Sequence, residues 1–172
     1  MGRMALRISV PSRLLFLHLY SPFLLCFFWA AASLRAEGNE IRIGPHDPWT
    51  RSDILLPEEF LAQKGSGSSS YLVCHVGFRF LYMAGHIPGA IYVGAGKDSD
   101  GIEALRNAVS ALPRDRRILL YCGCCPLDVC PNLRPAFQTV RKLGFANAKI
   151  LYLPHDFAED WIRKGYPTEK GR

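Results

Sequence analysis

Residues 118–153, ILLYCGCCPLDVCPNLRPAFQTVRKLGFANAKILYL, decide the fold class because they hold a strand, a loop, a helix and a second strand in succession. ILLY (118–121) is a short, wholly apolar run, which predicts a buried strand. NLRPAFQTVRKLG (132–144) has apolar residues at helical spacing, and Gly144 suits the helix C-terminus. AKILYL (148–153) predicts the next strand. A crossover through a helix makes the two strands parallel.

The same alternation of helices and short apolar strands runs through the rest of the chain. It predicts an α/β fold: a single domain with a mostly parallel central sheet and helices on both faces. No internal repeat or second domain is visible in the sequence. The upstream and downstream segments that carry the pattern are a helix at 57–64, strands at 71–74 and 90–93, a short helix at 80–84, a helix at 102–112 and a last helix at 156–165.

The N-terminus has the layout of a secretory signal. Three arginines precede an uncharged apolar run, residues 14–32, that closes in small residues. This pattern predicts a signal peptide within residues 1–36, cleaved after Ala32 or Ala36. A membrane anchor is the alternative, because the run approaches the length that spans a bilayer. We therefore expect an exported protein, periplasmic or secreted, with membrane contact only if this segment is retained.

Residues 37–52 are polar, contain prolines and predict an irregular lead-in, so that the domain proper is expected at 53–172. The full chain has a formal net charge of +6. Cleavage after Ala32 removes three of the 21 Lys and Arg residues and none of the 15 acids, which lowers the net charge to +3. No basic patch typical of nucleic-acid binding remains.

Cysteine is the unusual residue of this sequence. The chain after the signal keeps five, and four of them lie in YCGCCPLDVCPNLR (121–134); the five are Cys74, Cys122, Cys124, Cys125 and Cys130. In an oxidising compartment cysteines tend to form disulfides, or stay free because a function requires the thiol. An odd number leaves at least one thiol without a disulfide partner in the chain. A structural staple, a metal site and a reactive sulfur centre each explain such a cluster.

Cys122 occupies the position that favours reactivity. It directly follows the strand 118–121, and the helix begins near Asn132. Ligands of open parallel sheets bind beyond the carboxyl ends of the strands, where peptide N–H groups at helix N-termini stabilise anions and thiolates. Arg134 adds a cation in the first turn of the helix. We expect Cys122 as nucleophile, with Gly123, Cys124, Cys125 and Arg134 around the bound anion.

The other cysteines have structural interpretations. Cys124, Cys125 and Cys130 are expected either in a disulfide staple or as resolving thiols, and bridging the neighbours Cys124 and Cys125 is unfavourable. With Cys122 they also supply four soft ligands, enough for zinc or Cu(I), although their spacing differs from the paired C-x₂-C knuckles of structural zinc sites. Cys74, at the end of a strand, is expected in the core.

Four motifs resemble the rhodanese-like sulfurtransferase family and cover roughly residues 50–170 in that family's order. YMAGHIPGAIYV (82–93) is similar to its E-Y-x-x-G-H-I-P-G-A motif and is the most specific match. ILLYC (118–122) resembles the strand that ends in the active-site cysteine. RKLGFANAKILYL (141–153) resembles the segment after the active loop, and DFAEDWIRKGYP (156–167) the closing motif.

The resemblance implies a thiosulfate-sulfurtransferase type of enzyme that needs no cofactor. In that family a cysteine thiolate, here Cys122, takes sulfur from thiosulfate or another sulfane donor. It then passes the sulfur from its persulfide to cyanide or a thiol. The expected partner is therefore a small sulfur-containing anion or thiol.

The departures from the family pattern fall at the active site. The loop from Cys122 to Gly144 is longer than the usual one and is filled with cysteine and proline. The usual Asp-x-Arg aligns with residues 75–77, His-Val-Gly, and a glycine pair is replaced by His155 and Asp156. Two other functions therefore stay open: a binding or metal-handling module whose loop is locked by disulfides or a metal, and a thiol-disulfide oxidoreductase. A Cys-x₅-Arg phosphatase loop is excluded, since no arginine stands in register with any loop cysteine.

Overall fold

The computed structural model describes residues 40–65 and 71–171. The predicted signal or anchor, residues 1–36, and most of the loop at 65–70 lie outside the described residues. From Glu40 onward the chain forms one compact unit. Within the described ranges, no helix is both long and apolar enough to cross a membrane.

The centre of the domain is a parallel β-sheet, as the sequence predicts. Its strand order is β1-β5-β4-β2-β3, and every pairing between these strands is parallel. The strands are β1 (Ile54–Leu55), β2 (Leu72–His75), β3 (Ile91–Tyr92), β4 (Ile118–Tyr121) and β5 (Ala148–Leu151). The carboxyl ends of all of them therefore point to the same edge of the sheet, which is where a site of this fold class is expected.

The helices follow the predicted alternation. They are α1 (Pro57–Gly65), α2 (Arg79–Ala84), α3 (Ser99–Val109) and α4 (Leu133–Lys142), with 3₁₀ turns at Arg51–Asp53 and Leu127–Val129. The last helix, predicted at 156–165, is a π-helix that covers Ala158–Ile162. Its wider turn is seen in the bond that the Arg163 N–H donates to the Ala158 carbonyl, five residues back.

Both faces of the sheet are covered, because successive side chains of β4 point to opposite sides. Ile118 and Leu120 pack into one apolar cluster with α3 and α4. Leu119 and Tyr121 pack into the other, with α1, α2 and the π-helix. All four side chains are fully buried. This double coverage is the reason that the central strand is an unbroken apolar run.

The lead-in is irregular, as predicted, but it is an integral part of the core. Trp49 is only 2% exposed and meets the ring of Phe137 on α4 edge-on at 5.9 Å. The Asp47 carboxylate is buried as well. The boundary expected at residue 53 therefore cuts through packed structure, since the lead-in buries a large aromatic side chain against α4.

The segment GHIPGA (85–90) has a structural role. The buried His86 places its Nδ1 2.9 Å from the Tyr82 carbonyl and stacks on the Tyr82 ring at 3.9 Å. The next residue, Ile87, donates its backbone N–H to the Tyr121 hydroxyl at 3.1 Å. The turn is thereby hydrogen-bonded directly to the central strand.

We predict that Tyr121→Phe lowers the free energy of unfolding by about 1–3 kcal/mol, because it leaves the buried Ile87 N–H without an acceptor. Chemical denaturation measures the change. The matched control is Tyr92→Phe in the edge strand β3, because the Tyr92 hydroxyl has no hydrogen-bond partner among the described residues. An equal effect of both substitutions would contradict the assigned hydrogen bond.

Candidate functional site

The candidate site lies at the carboxyl end of β4, where the loop 122–132 leads into α4. Cys122 follows the strand directly and is 1% exposed, and Cys130 is completely buried. Cys124 and Cys125 are half-buried. The structure thus brings the four loop cysteines together but buries them unequally. Cys124 and Cys125 are the two that a molecule from solvent can reach.

The sulfur atoms form a contiguous group. The Cys122 thiol donates a hydrogen bond to the Cys124 Sγ at 3.1 Å, and the Cys124 and Cys125 Sγ atoms are also 3.1 Å apart. The sulfurs of Cys122, Cys124 and Cys130 all lie within 4.8 Å of one another. The five described cysteines are free thiols, so the predicted disulfide staple stays a prediction.

The hydrogen bonds within the group favour negative charge on Cys124. Hydrogen bonds from the Cys122 and Cys130 thiols keep the pKa of Cys124 far below its usual range. The bond that Cys122 donates to Cys124, together with burial, raises the pKa of Cys122 to about 12. The thiol bonds that Cys130 makes to Cys122 and Cys124 raise its pKa too. One thiolate shared among neighbouring thiols is the chemical state that this geometry favours.

Asn132 is a site residue that the sequence analysis did not identify beyond its place at the start of the helix. Its side chain is completely buried, and its Nδ2 donates to the Sγ of Cys122 at 3.2 Å and to that of Cys124 at 3.8 Å. Its Oδ1 accepts the Lys97 N–H at 3.1 Å, which fixes the orientation of the amide. Asparagine is common at helix N-termini because its side chain caps the helix. The sequence therefore does not indicate that the Asn132 amide donates to the cysteine sulfurs instead.

Residues 75–77 pack closely against Cys122. A Cβ added to Gly77 would lie 2.9 Å from the Cys122 Sγ, so glycine is needed for this close approach. The His75 ring is 2% exposed and packs against Tyr121 at 5.0 Å, and burial lowers its pKa to about 4. His75 is therefore a packed, neutral residue whose Nδ1 accepts the Gly77 N–H.

Gly123 anchors the loop to the closing helix. Its φ is +75°, and a Cβ at this position would lie 2.5 Å from the Phe157 Cβ. Its carbonyl accepts the Phe157 N–H at 3.2 Å. Only glycine meets both requirements, and the contact sets the direction in which the loop leaves Cys122.

Arg134 acts as a clamp on the loop. Its Nε donates to the Asp47 carboxylate at 2.8 Å, and its Nη1 and Nη2 donate to the carbonyls of Cys130 and Asp128 at 3.0 and 2.6 Å. Its guanidinium also lies over the Trp49 ring, 5.5 Å from the centroid. The expected anion-binding role of Arg134 stays a prediction, while the observed contacts tie the lead-in to the cysteine loop.

Cys74 lies outside the site. It is completely buried in β2, and burial raises the pKa of its thiol to about 12. It is therefore the inert core cysteine that the sequence indicates. Cys125 belongs to the loop but not to the group of three sulfurs that converge.

No protein-family model matches the chain, and no curated protein matches it at a significant level. Solved structures do match. The rhodanese-like domain of the Alr3790 protein from Anabaena sp, in its solution structure, is 24% identical over 69% of this chain and 79% of that chain, with a TM-score of 0.51. The chain has the rhodanese-like fold. A crystal structure of the same Alr3790 protein is 22% identical over 67% and 82% of the two chains, with a TM-score of 0.52.

The BH2092 protein from Bacillus halodurans is a further match, 21% identical over 69% of this chain and 77% of that chain, with a TM-score of 0.54. At these identities the likeness concerns the fold. The chemistry of the cysteine loop follows from its own contacts.

We predict that Gly123→Ala destabilises the protein more than Gly165→Ala does. The two glycines have nearly the same positive φ, +75° and +74°, but a Cβ at Gly165 meets nothing within 4 Å. Both variants carry the conformational cost, and only Gly123→Ala adds the clash with Phe157, worth about 1–3 kcal/mol. Equal losses in chemical denaturation would show that the loop does not depend on this contact.

We predict that Asp47→Asn lowers the free energy of unfolding by about 1.5–3 kcal/mol, because neutral hydrogen bonds replace charge-assisted ones to Arg134. The control is Asp128→Asn, since the exposed Asp128 carboxylate has no partner within the described part of the chain, and its carbonyl bond to Arg134 is kept. Thermal and chemical denaturation of both variants measure the difference. A loss as large in Asp128→Asn would rule out the Asp47 contact as the cause.

Proposed function

We propose that this protein is a sulfurtransferase of the thiosulfate type, with Cys122 as the residue that carries the sulfur. The observation that supports it is the position of Cys122 at the end of the central strand β4 of a rhodanese-like fold, with a second sulfur and an amide donor in contact. The motifs that resemble the sulfurtransferase family point to the same residue.

The first step is activation of Cys122. Its thiol donates a hydrogen bond to the Cys124 sulfur, so Cys124 is placed to accept the Cys122 proton as Cys122 attacks the donor, a transfer that runs against the resting preference for negative charge on Cys124. The Asn132 N–H, 3.2 Å from the Cys122 sulfur, stabilises the Cys122 thiolate. A neighbouring base that accepts the proton of a nucleophile is a general device of covalent catalysis.

The second step is sulfur transfer. The Cys122 thiolate attacks the outer sulfur of thiosulfate, a new S–S bond forms, and the bond within thiosulfate breaks to release sulfite. The persulfide then gives its outer sulfur to a thiol or to cyanide, which regenerates the Cys122 thiolate. Because Cys122 is almost fully buried, the half-buried segment with Cys124 and Cys125 has to shift for the donor to enter.

Cys124 and Cys130 also suit a resolving role. If either attacks the inner sulfur of a Cys122 persulfide, a disulfide forms and sulfide leaves; an external dithiol must then reduce the disulfide. Export through the N-terminal segment remains part of the proposal, and it would place this chemistry in an oxidising compartment.

We predict that the reduced protein gains ~32 daltons, one sulfur atom, after incubation with thiosulfate, and that Cys122→Ser abolishes the gain. Intact mass spectrometry before and after treatment with a reductant measures the persulfide. Cys74→Ala serves as the matched control, because it removes a buried thiol outside the loop.

Cys124→Ser separates the roles of the two neighbouring sulfurs. We expect the adduct to form more slowly in this variant, because the proton acceptor is lost, but still to form on Cys122. An adduct that persists in Cys122→Ser and disappears in Cys124→Ser would assign the nucleophile to Cys124 instead. A wild-type protein that gains no mass and releases neither sulfite nor sulfide would overturn the sulfurtransferase proposal. A loss of ~2 daltons with release of sulfide would instead support the resolving role of Cys124 or Cys130.

A further inference from the structure

Three sulfur atoms converge from separate parts of the cysteine loop. Those of Cys122, Cys124 and Cys130 lie within 4.8 Å of one another, and two of the three residues are buried. No histidine, aspartate or glutamate joins this group among the described residues. The group therefore offers a purely thiol set of ligands.

The three cysteines are held in place by independent contacts. Cys122 is fixed by β4, and Cys124 follows Gly123, which is packed against Phe157. The carbonyl of Cys130 accepts a hydrogen bond from Arg134. A ligand set that is organised before the ion arrives loses little conformational entropy on binding.

Asn132 supplies the outer contacts that a thiolate site requires. Its buried Nδ2 donates to the sulfurs of Cys122 and Cys124, and its Oδ1 is held by the Lys97 N–H. Such N–H donors orient metal ligands and disperse the charge of metal-bound sulfur. The nearby polar groups are engaged elsewhere: His75 accepts the Gly77 N–H, and Asp47 is paired with Arg134.

We propose that Cys122, Cys124 and Cys130 form a binding site for a single thiophilic metal ion, with Cu(I) as the ion that fits best. Soft thiolate ligands select such ions over hard cations. Three mutually close sulfurs match a three-coordinate Cu(I) ion, whereas structural zinc takes four protein ligands. The Cys125 Sγ is 3.1 Å from the Cys124 Sγ but does not lie within 4.8 Å of all three sulfurs. Binding replaces thiol protons, which pass to solvent.

The site has a consequence for sulfur transfer, which rests on the function proposed above. A thiolate that ligates Cu(I) shares its negative charge with the ion and is a much poorer nucleophile toward a sulfane donor. Metal binding therefore suppresses persulfide formation on Cys122.

The test is an anaerobic titration of the reduced full-length protein against a chromophoric Cu(I) chelator. We expect the wild type to remove one equivalent of Cu(I) from the chelator and Cys130→Ala to lose this ability. The matched control is Cys74→Ala, which also removes a buried thiol but leaves the three sulfurs intact. Absorption spectroscopy at the copper edge should show about three sulfur neighbours and no nitrogen or oxygen.

Asn132→Ala distinguishes a built site from adventitious binding to thiols, because it leaves the number of cysteines unchanged. We expect its Cu(I) affinity to fall by about 10- to 100-fold. The proposal is overturned if the wild type removes no Cu(I), if Cys74→Ala weakens binding as much as Cys130→Ala, or if Asn132→Ala has wild-type affinity. Preference for zinc in the parallel titration, with four sulfur neighbours, would replace Cu(I) by a four-cysteine zinc site.

The experiments can contradict the metal site and the sulfurtransferase function independently of each other. Metal binding is measured without any sulfur donor, and persulfide formation is measured on metal-free protein. Copper-loaded protein treated with thiosulfate should gain no sulfur, and removal of copper by excess chelator should restore the adduct. An adduct that forms equally well with copper bound would contradict the shared use of Cys122.

Discussion

The burial of β4 on both faces is the constraint on which the rest of the structure depends. Ile118–Tyr121 has no exposed side chain, pairs with β2 and β5, and contributes to both apolar clusters. A strand in this position cannot shift register without moving apolar side chains from one face to the other. Its end is therefore the most firmly placed point at the carboxyl edge of the sheet, and Cys122 follows it directly.

Two contacts fix the position of the loop beyond Cys122 relative to the sheet. The packing of Gly123 against Phe157 directs the chain out of the strand, and Arg134 joins the far end of the loop to the buried carboxylate of Asp47. The irregular lead-in thus becomes a support of the site. The interior of the loop between β4 and α4 is occupied by sulfur, and thiol hydrogen bonds link its cysteines.

The sulfur cluster explains how one loop can serve two chemistries. A single thiolate among neutral thiols suits a nucleophile with a proton acceptor beside it, while three deprotonated sulfurs suit a soft cation. Asn132 contributes to both, because its N–H groups stabilise negative charge on sulfur whatever the sulfur is bonded to. The state of the cluster would then depend on whether a sulfane donor or a metal reaches it first.

The sequence by itself determined the parallel α/β class, the central strand and the place of Cys122 at the end of that strand. Apolar periodicity and the order of elements can be read from the sequence without knowledge of tertiary contacts. The sequence also indicated Cys74 as a core residue. Only the tertiary structure decided the part played by Asn132, the engagement of Arg134 by Asp47, and which three of the four loop cysteines converge. These features depend on residues far apart in sequence, and on loop directions set by one glycine contact, so no local pattern encodes them.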